Sequence, residues 1–135
     1  MDYQKLLEIA KQSAKKAYCP HTNFGVGAAL LTKNGKLYSG FNVENAGLLS
    51  ICAERVTFSK AFTEGEDPTD KSNFIAIMII GYNKKTNEFV TVTPCGYCRQ
   101  FMSEFVNDNF KIIINEDGKF KEYTIKELLP NSYEF

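Results

Sequence analysis

Along the first eighteen residues the apolar positions fall on one helical stripe. Leu6, Leu7, Ile9, Ala10, Ala14 and Ala17 recur among Lys, Gln and Glu, which predicts an amphipathic helix over about 3–18. The period then shortens. Residues 26–32 and 36–42 read as strands around the turn Lys33-Asn34-Gly35, and 111–115 and 119–124 as strands around Asp117-Gly118, since Asn-Gly and Asp-Gly pairs mark hairpins. Within a strand over 73–82, the run Phe74-Ile75-Ala76-Ile77-Met78-Ile79-Ile80 is apolar on both faces, as a central strand covered on each side would be. A further strand, 88–92, follows a loop at Lys84-Lys85-Thr86-Asn87.

Two more helices alternate with these strands. Val56, Phe58, Ala61 and Phe62 support one over 53–64, ended by Gly65. Cys98, Phe101, Met102, Phe105 and Val106 support another over 95–108, with Pro94 fixing its entry. A short helix over 125–129 closes the pattern. The fold class expected is α/β, a three-layer α/β/α sandwich on a mixed five-stranded sheet. Without repeats, linkers or low-complexity segments, residues 1–135 are expected to form a single domain.

Composition narrows the function classes. Sixteen Lys and Arg balance sixteen Asp and Glu and lie interspersed with them, so the electrostatic footprint of nucleic-acid binding is missing. The N-terminal stretch lacks the charged-then-apolar plan of a signal peptide, and the longest apolar run, Ile75–Ile80, is too short to cross a bilayer. A cytoplasmic protein with no membrane partner is expected.

The chemistry concentrates in two clusters, Cys52-Ala53-Glu54 and Pro94-Cys95-Gly96-Tyr97-Cys98, each at a predicted helix start. Helix N-termini carry partial positive charge and free N–H groups, which favour thiolates. A structural zinc is normally closed by four protein ligands, whereas a catalytic zinc keeps three and leaves one position to water. Cys52, Cys95 and Cys98 supply three, and Glu54 is a carboxylate that need not bind metal. Two other classes compete for these cysteines: a structural zinc module, and a CxxC thiol oxidoreductase. The redox pair needs no third cysteine, and a fourth ligand is offered only weakly by Cys19 or His21. Arg55 and Arg99, each directly after a motif residue, are candidates for donating to thiolate sulfur and offsetting the negative charge of three thiolates. Cys19 is assigned no role, and His21, the one histidine, is read as a surface or cleft residue.

These motifs resemble those of the zinc nucleoside deaminases, whose signature is His- or Cys-x-Glu followed by Pro-Cys-x-x-Cys. The similarity is to the all-cysteine cytidine deaminases, and it extends through Ala17–Leu31, Phe41-Asn42-Val43-Glu44-Asn45-Ala46, Pro94–Gln100 and Glu127–Pro130. The resemblance implies a cytidine deaminase-like fold and a homotetramer with one Zn²⁺ per subunit. It implies hydrolysis of cytidine and deoxycytidine to the uracil nucleosides and ammonia, for pyrimidine salvage. Position by position, it makes Cys52, Cys95 and Cys98 the zinc ligands and Glu54 the proton shuttle. Asn42 and Glu44 become the sugar-binding pair, Phe24 a pocket aromatic and Ala53 a base-contacting backbone position. Tyr133, in the tail, is expected to complete a neighbouring subunit's pocket. His21 and Thr22 stand where the family usually has Tyr and Ser, and 46–51 is shorter by one residue and lacks an aromatic. The tail tyrosine also resembles the blasticidin-type deaminases, so a cytosine nucleoside antibiotic is the alternative substrate.

Overall fold

The structure is a computed structural model describing residues 1–135. Its elements run α1 (Tyr3–Lys16), β1 (Phe24–Thr32), β2 (Leu37–Phe41), α2 (Ala53–Thr63), β3 (Phe74–Asn83), β4 (Glu88–Val90), α3 (Gly96–Phe105), β5 (Lys111–Glu116), β6 (Lys119–Tyr123) and α4 (Ile125–Leu128). The strands form one mixed sheet in the order β2-β1-β3-β5-β6, antiparallel except for the β3–β5 pair. The sheet has six strands where five were expected. The sixth, β4, lies off that path because one edge of β3 serves two partners: Ala76–Ile79 pair with β5, and Gly81–Asn83 pair with β4.

Layering follows from the alternation of β3. Ala76, Met78 and Ile80 face α1, packing with Leu6, Leu7, Ala10 and Ala14, while Ile77 and Ile79 face Phe58, Ala61 and Met102 of α2 and α3. The uninterrupted apolar run is therefore two half-runs, one for each helical layer. α1 lies so close to β1 that a Cβ on Gly27 would stand 2.0 Å from the Ala10 carbonyl oxygen. Only glycine fits there. The α2–α3 layer is aromatic: Phe58 packs edge-on against Phe74 at 5.1 Å and Phe101 at 6.3 Å between centroids.

Three elements end earlier than their sequence periodicity, each for a local reason. α1 stops at Lys16, because Tyr18 turns to pair with the chain beside the cleft; its N–H donates to Asn42 O and its carbonyl accepts from Glu44 N–H. β4 stops at Val90, and the residues after it leave the sheet to line the cleft. α3 stops at Phe105 because Val106 is extended, its side chain buried in the core.

Candidate active site

Cys52 is the N-cap of α2, Cys95 is the N-cap of α3, and Cys98 lies in the first turn of α3. The two helix starts converge. Cys52 Sγ and Cys95 Sγ are 3.5 Å apart, Cys95 Sγ and Cys98 Sγ are 3.6 Å apart, and all three sulfurs lie within 4.8 Å of one another. Tetrahedral bonds of roughly 2.3 Å to zinc put neighbouring sulfurs roughly 3.8 Å apart. The three thiols therefore fit a zinc ion, and with three protein donors the fourth position stays open.

The electrostatics favour a thiolate at Cys52. Hydrogen bonding from Cys98, then from Arg55 and Cys95, outweighs burial and draws Cys52 down to about 5. Cys98, its partner, moves up, through its hydrogen bonding to Cys52 and then through burial. Arg55 Nη2 approaches Cys52 Sγ at 3.9 Å. Arg99 does not share that place, contrary to expectation. Its Nε donates to Pro94 O and its Nη1 to Leu128 O, both at 2.7 Å, so it ties the loop before α3 to the end of α4.

Beside the sulfurs opens a cleft of about 290 Å³, lined among others by Phe24, Asn42, Glu44, Ala53, Glu54 and Val92. Glu54 is 3% exposed. Burial raises its carboxyl to about 7, so it can take up and release a proton near neutrality. Ala53 is fully buried, and its carbonyl accepts from Thr57 Oγ1 at 2.7 Å, which fixes the first turn of α2 under the cleft. Phe24 sits at the start of β1, and its ring occupies the space above Gly81, where a Cβ would come within 2.6 Å of it.

Asn42 and Glu44 lie where β2 has ended and the chain crosses the cleft mouth. Asn42 Oδ1 accepts from Val26 N–H at 2.7 Å and Nδ2 donates to Phe24 O at 3.2 Å, so the amide is fixed with one Nδ2 hydrogen to spare. Glu44 accepts from His21 N–H at 2.8 Å, Thr22 N–H at 3.2 Å and Thr22 Oγ1 at 2.5 Å. Those bonds hold the carboxylate ionised, with the Thr22 hydroxyl the largest contributor, and anchor the His21–Thr22 loop at the cleft edge. His21 is exposed, as expected, and Cys19 is a buried free thiol.

Tyr133 is not in this cleft. It is 70% exposed, and its carbonyl accepts from Gln100 Nε2 at 3.0 Å on the outer side of α3. The segment 46–51 exposes Leu48 and Leu49, and Ser50 and Ile51 join the cleft wall. Sequence reading did not single out Ser50, Ile51, Ile79, Val92 or Thr93, which line the cleft through tertiary placement. It passed over Tyr97 as well, although that residue lies inside the second motif.

Residues 1–114 match the family model described as "Cytidine and deoxycytidylate deaminase zinc-binding region". The chain belongs to this family. Among curated relatives, a protein named cytidine deaminase from Halalkalibacterium halodurans is 39% identical, covering 98% of this chain and 95% of its own. A blasticidin-S deaminase from Bacillus cereus is 30% identical, covering 96% of this chain and 90% of its own. Among solved structures, a cytidine deaminase from Burkholderia pseudomallei has a TM-score of 0.85 and 37% identity, covering 98% of this family member and all of that chain. No helix of the protein is long and apolar enough to cross a membrane.

Proposed function

We propose that this family member is a zinc-dependent cytidine deaminase, converting cytidine and deoxycytidine with water into the uracil nucleosides and ammonia. One observation carries the reading: three sulfurs at zinc-ligand spacing meet a buried, proton-exchanging carboxyl on the wall of a single cleft. Cys52, Cys95 and Cys98 would hold the zinc, which when bound supplies the Lewis acidity that brings the ionisation of water toward neutral pH. Glu54 takes the proton from the attacking water and delivers it to N3 of the base. Glu54 then takes the second proton from the new C4 hydroxyl and gives it to the amino nitrogen, which leaves as ammonia as the C4 carbonyl forms, so the carboxylate ends as it began. Phe24 walls the base, and the Ala53 backbone borders it.

Asn42 and Glu44 bind the sugar hydroxyls. Glu44 uses three of its roughly four acceptor sites on its own chain, leaving one for a hydroxyl, and Asn42 keeps one donor. Arg55 offsets thiolate charge. The catalytic domain spans 1–135. Tyr133, which lies outside its own cleft, completes a neighbour's cleft in a homotetramer, and the enzyme serves pyrimidine salvage in the cytoplasm. Neither a structural module nor a CxxC oxidoreductase accounts for Glu54 buried beside an open cleft.

The test is to incubate purified protein with cytidine, deoxycytidine and blasticidin S, following ammonia release, with elemental analysis alongside. About one zinc per chain and turnover of the two nucleosides are expected. Zinc undiminished in Cys98→Ala, or blasticidin S as the preferred substrate, would overturn the assignment.

A further inference from the structure

Tyr97 has no part in the mechanism above, although it sits between two of the proposed zinc ligands. It is 80% exposed, and its ring lies over Arg55, with the guanidinium carbon 5.8 Å from the ring centroid. Arg55's own hydrogen bonds hold it loosely. Nη2 reaches Ser50 O only at 3.5 Å and Cys52 Sγ at 3.9 Å, while the buried Nε has no partner. Arg99 shows what a pinned guanidinium looks like, with two bonds of 2.7 Å. Bonds this long leave the plane of Arg55 only loosely fixed, and the face of Tyr97 lies within cation–π reach of it.

We propose that Tyr97 is a positioning residue whose ring clamps the Arg55 guanidinium against the Cys52 sulfur. The inference rests on the zinc reading and extends it to a residue outside the ligand set. Through this pair, the first turn of α3 governs the charge environment of a ligand on α2. The ring also keeps water from one face of the guanidinium, so its charge acts on the sulfur through a less screening medium. Groups that orient or neutralise a metal ligand change metal retention even though they never touch the metal. Because Tyr97 is exposed, truncating it leaves the core packing intact.

The test is zinc transfer from purified zinc-loaded protein to an excess of a chromogenic chelator. Tyr97→Phe should match wild type, because the ring face is kept. Tyr97→Leu and Tyr97→Ala should release zinc roughly two- to fivefold faster, the fold-change of losing an exposed cation–π contact. Arg55→Ala should release it roughly ten- to a hundredfold faster, and adding Tyr97→Ala to Arg55→Ala should change nothing further. Wild-type release from zinc-loaded Tyr97→Leu and Tyr97→Ala would overturn the clamp and leave the zinc site standing. Retention by Tyr97→Leu alone would show that bulk, not the ring face, is at work, and would overturn it too. Protein that purifies without zinc would overturn the site and the clamp together.

Discussion

Replacing Glu54 with Gln should abolish most turnover and, in metal-stripped protein, make the fold more stable. The substitution keeps the side chain's size while removing its ionisable proton. Loss of a positioned proton carrier costs roughly 10²–10⁴ in rate, or about 3–5 kcal/mol of barrier. The stability effect follows from the raised pKa. Glu54 moves from 4.5 unfolded to about 7 folded, chiefly by desolvation. At about 1.36 kcal/mol per unit, its ionised form opposes folding by about 3 kcal/mol. The folded state binds this proton more tightly, so the favourable contribution is complete below 4.5 and is lost as pH rises through about 7. Chelator-treated wild type and Glu54→Gln should therefore be of similar stability near about pH 4 and diverge by about pH 8, the variant being the stronger. Chelation is needed because a bound cation would draw the carboxylate back down. Ammonia release and denaturant titrations at the two pH values measure both effects. Turnover within about threefold of wild type would remove Glu54 from proton transfer, and a stability gap indifferent to pH would refute the burial argument.

Gly27→Ala should destabilise the protein by about 1–3 kcal/mol or more, since its Cβ would meet backbone atoms of α1 at 2.0 and 2.5 Å; an unchanged denaturation midpoint would contradict that packing. Glu44→Ala should lower kcat/KM for cytidine roughly tenfold or more with zinc content intact, and free cytosine should be a poor substrate, because polar groups built for a hydroxyl are then left unpaired. Steady-state kinetics on both substrates check this, and equal use of cytosine would end the sugar-binding role. Tyr38 Oη donates to Glu66 Oε2 at 2.6 Å, and this bond, with burial, pushes the phenol up from 10 to about 12. Wild-type stability should fall as pH rises from 10 toward about 12, while Tyr38→Phe, weaker at neutral pH by about 1.5–3 kcal/mol, should show a flatter decline in urea titrations.

Both metal clusters and the central strand were legible because their signals are local. Cys52-Ala53-Glu54 and the CxxC carry their spacing in the chain, and Phe74–Ile80 carries its burial in composition. What escaped depends on geometry between distant segments. Val92 was read as strand, yet it leaves the sheet for the cleft, since β3 pairs with β4 only through Gly81, Tyr82 and Asn83. Arg99 resembled Arg55 in following a motif residue, but helical rotation turns it toward Leu128 O, a partner 29 positions away that no spacing rule supplies. Glu44 was singled out within its own motif and lines the cleft, but its hold on His21 and Thr22 required the approach of two loops.

Cys52 and Cys95 each stand at a helix N-cap, and neither thiol bonds to the helix amides it precedes. Both helices have given up the side-chain stop that Asp2 provides for α1 and Thr124 for α4. A metal shared by the two sulfurs would then cross-link helix starts 43 positions apart, closing a long loop that includes β3 and β4. Metal loss would therefore be felt as paired fraying: the first-turn amides of α2 and α3 would exchange with solvent together, while α1, on the other face of the sheet, kept its protection.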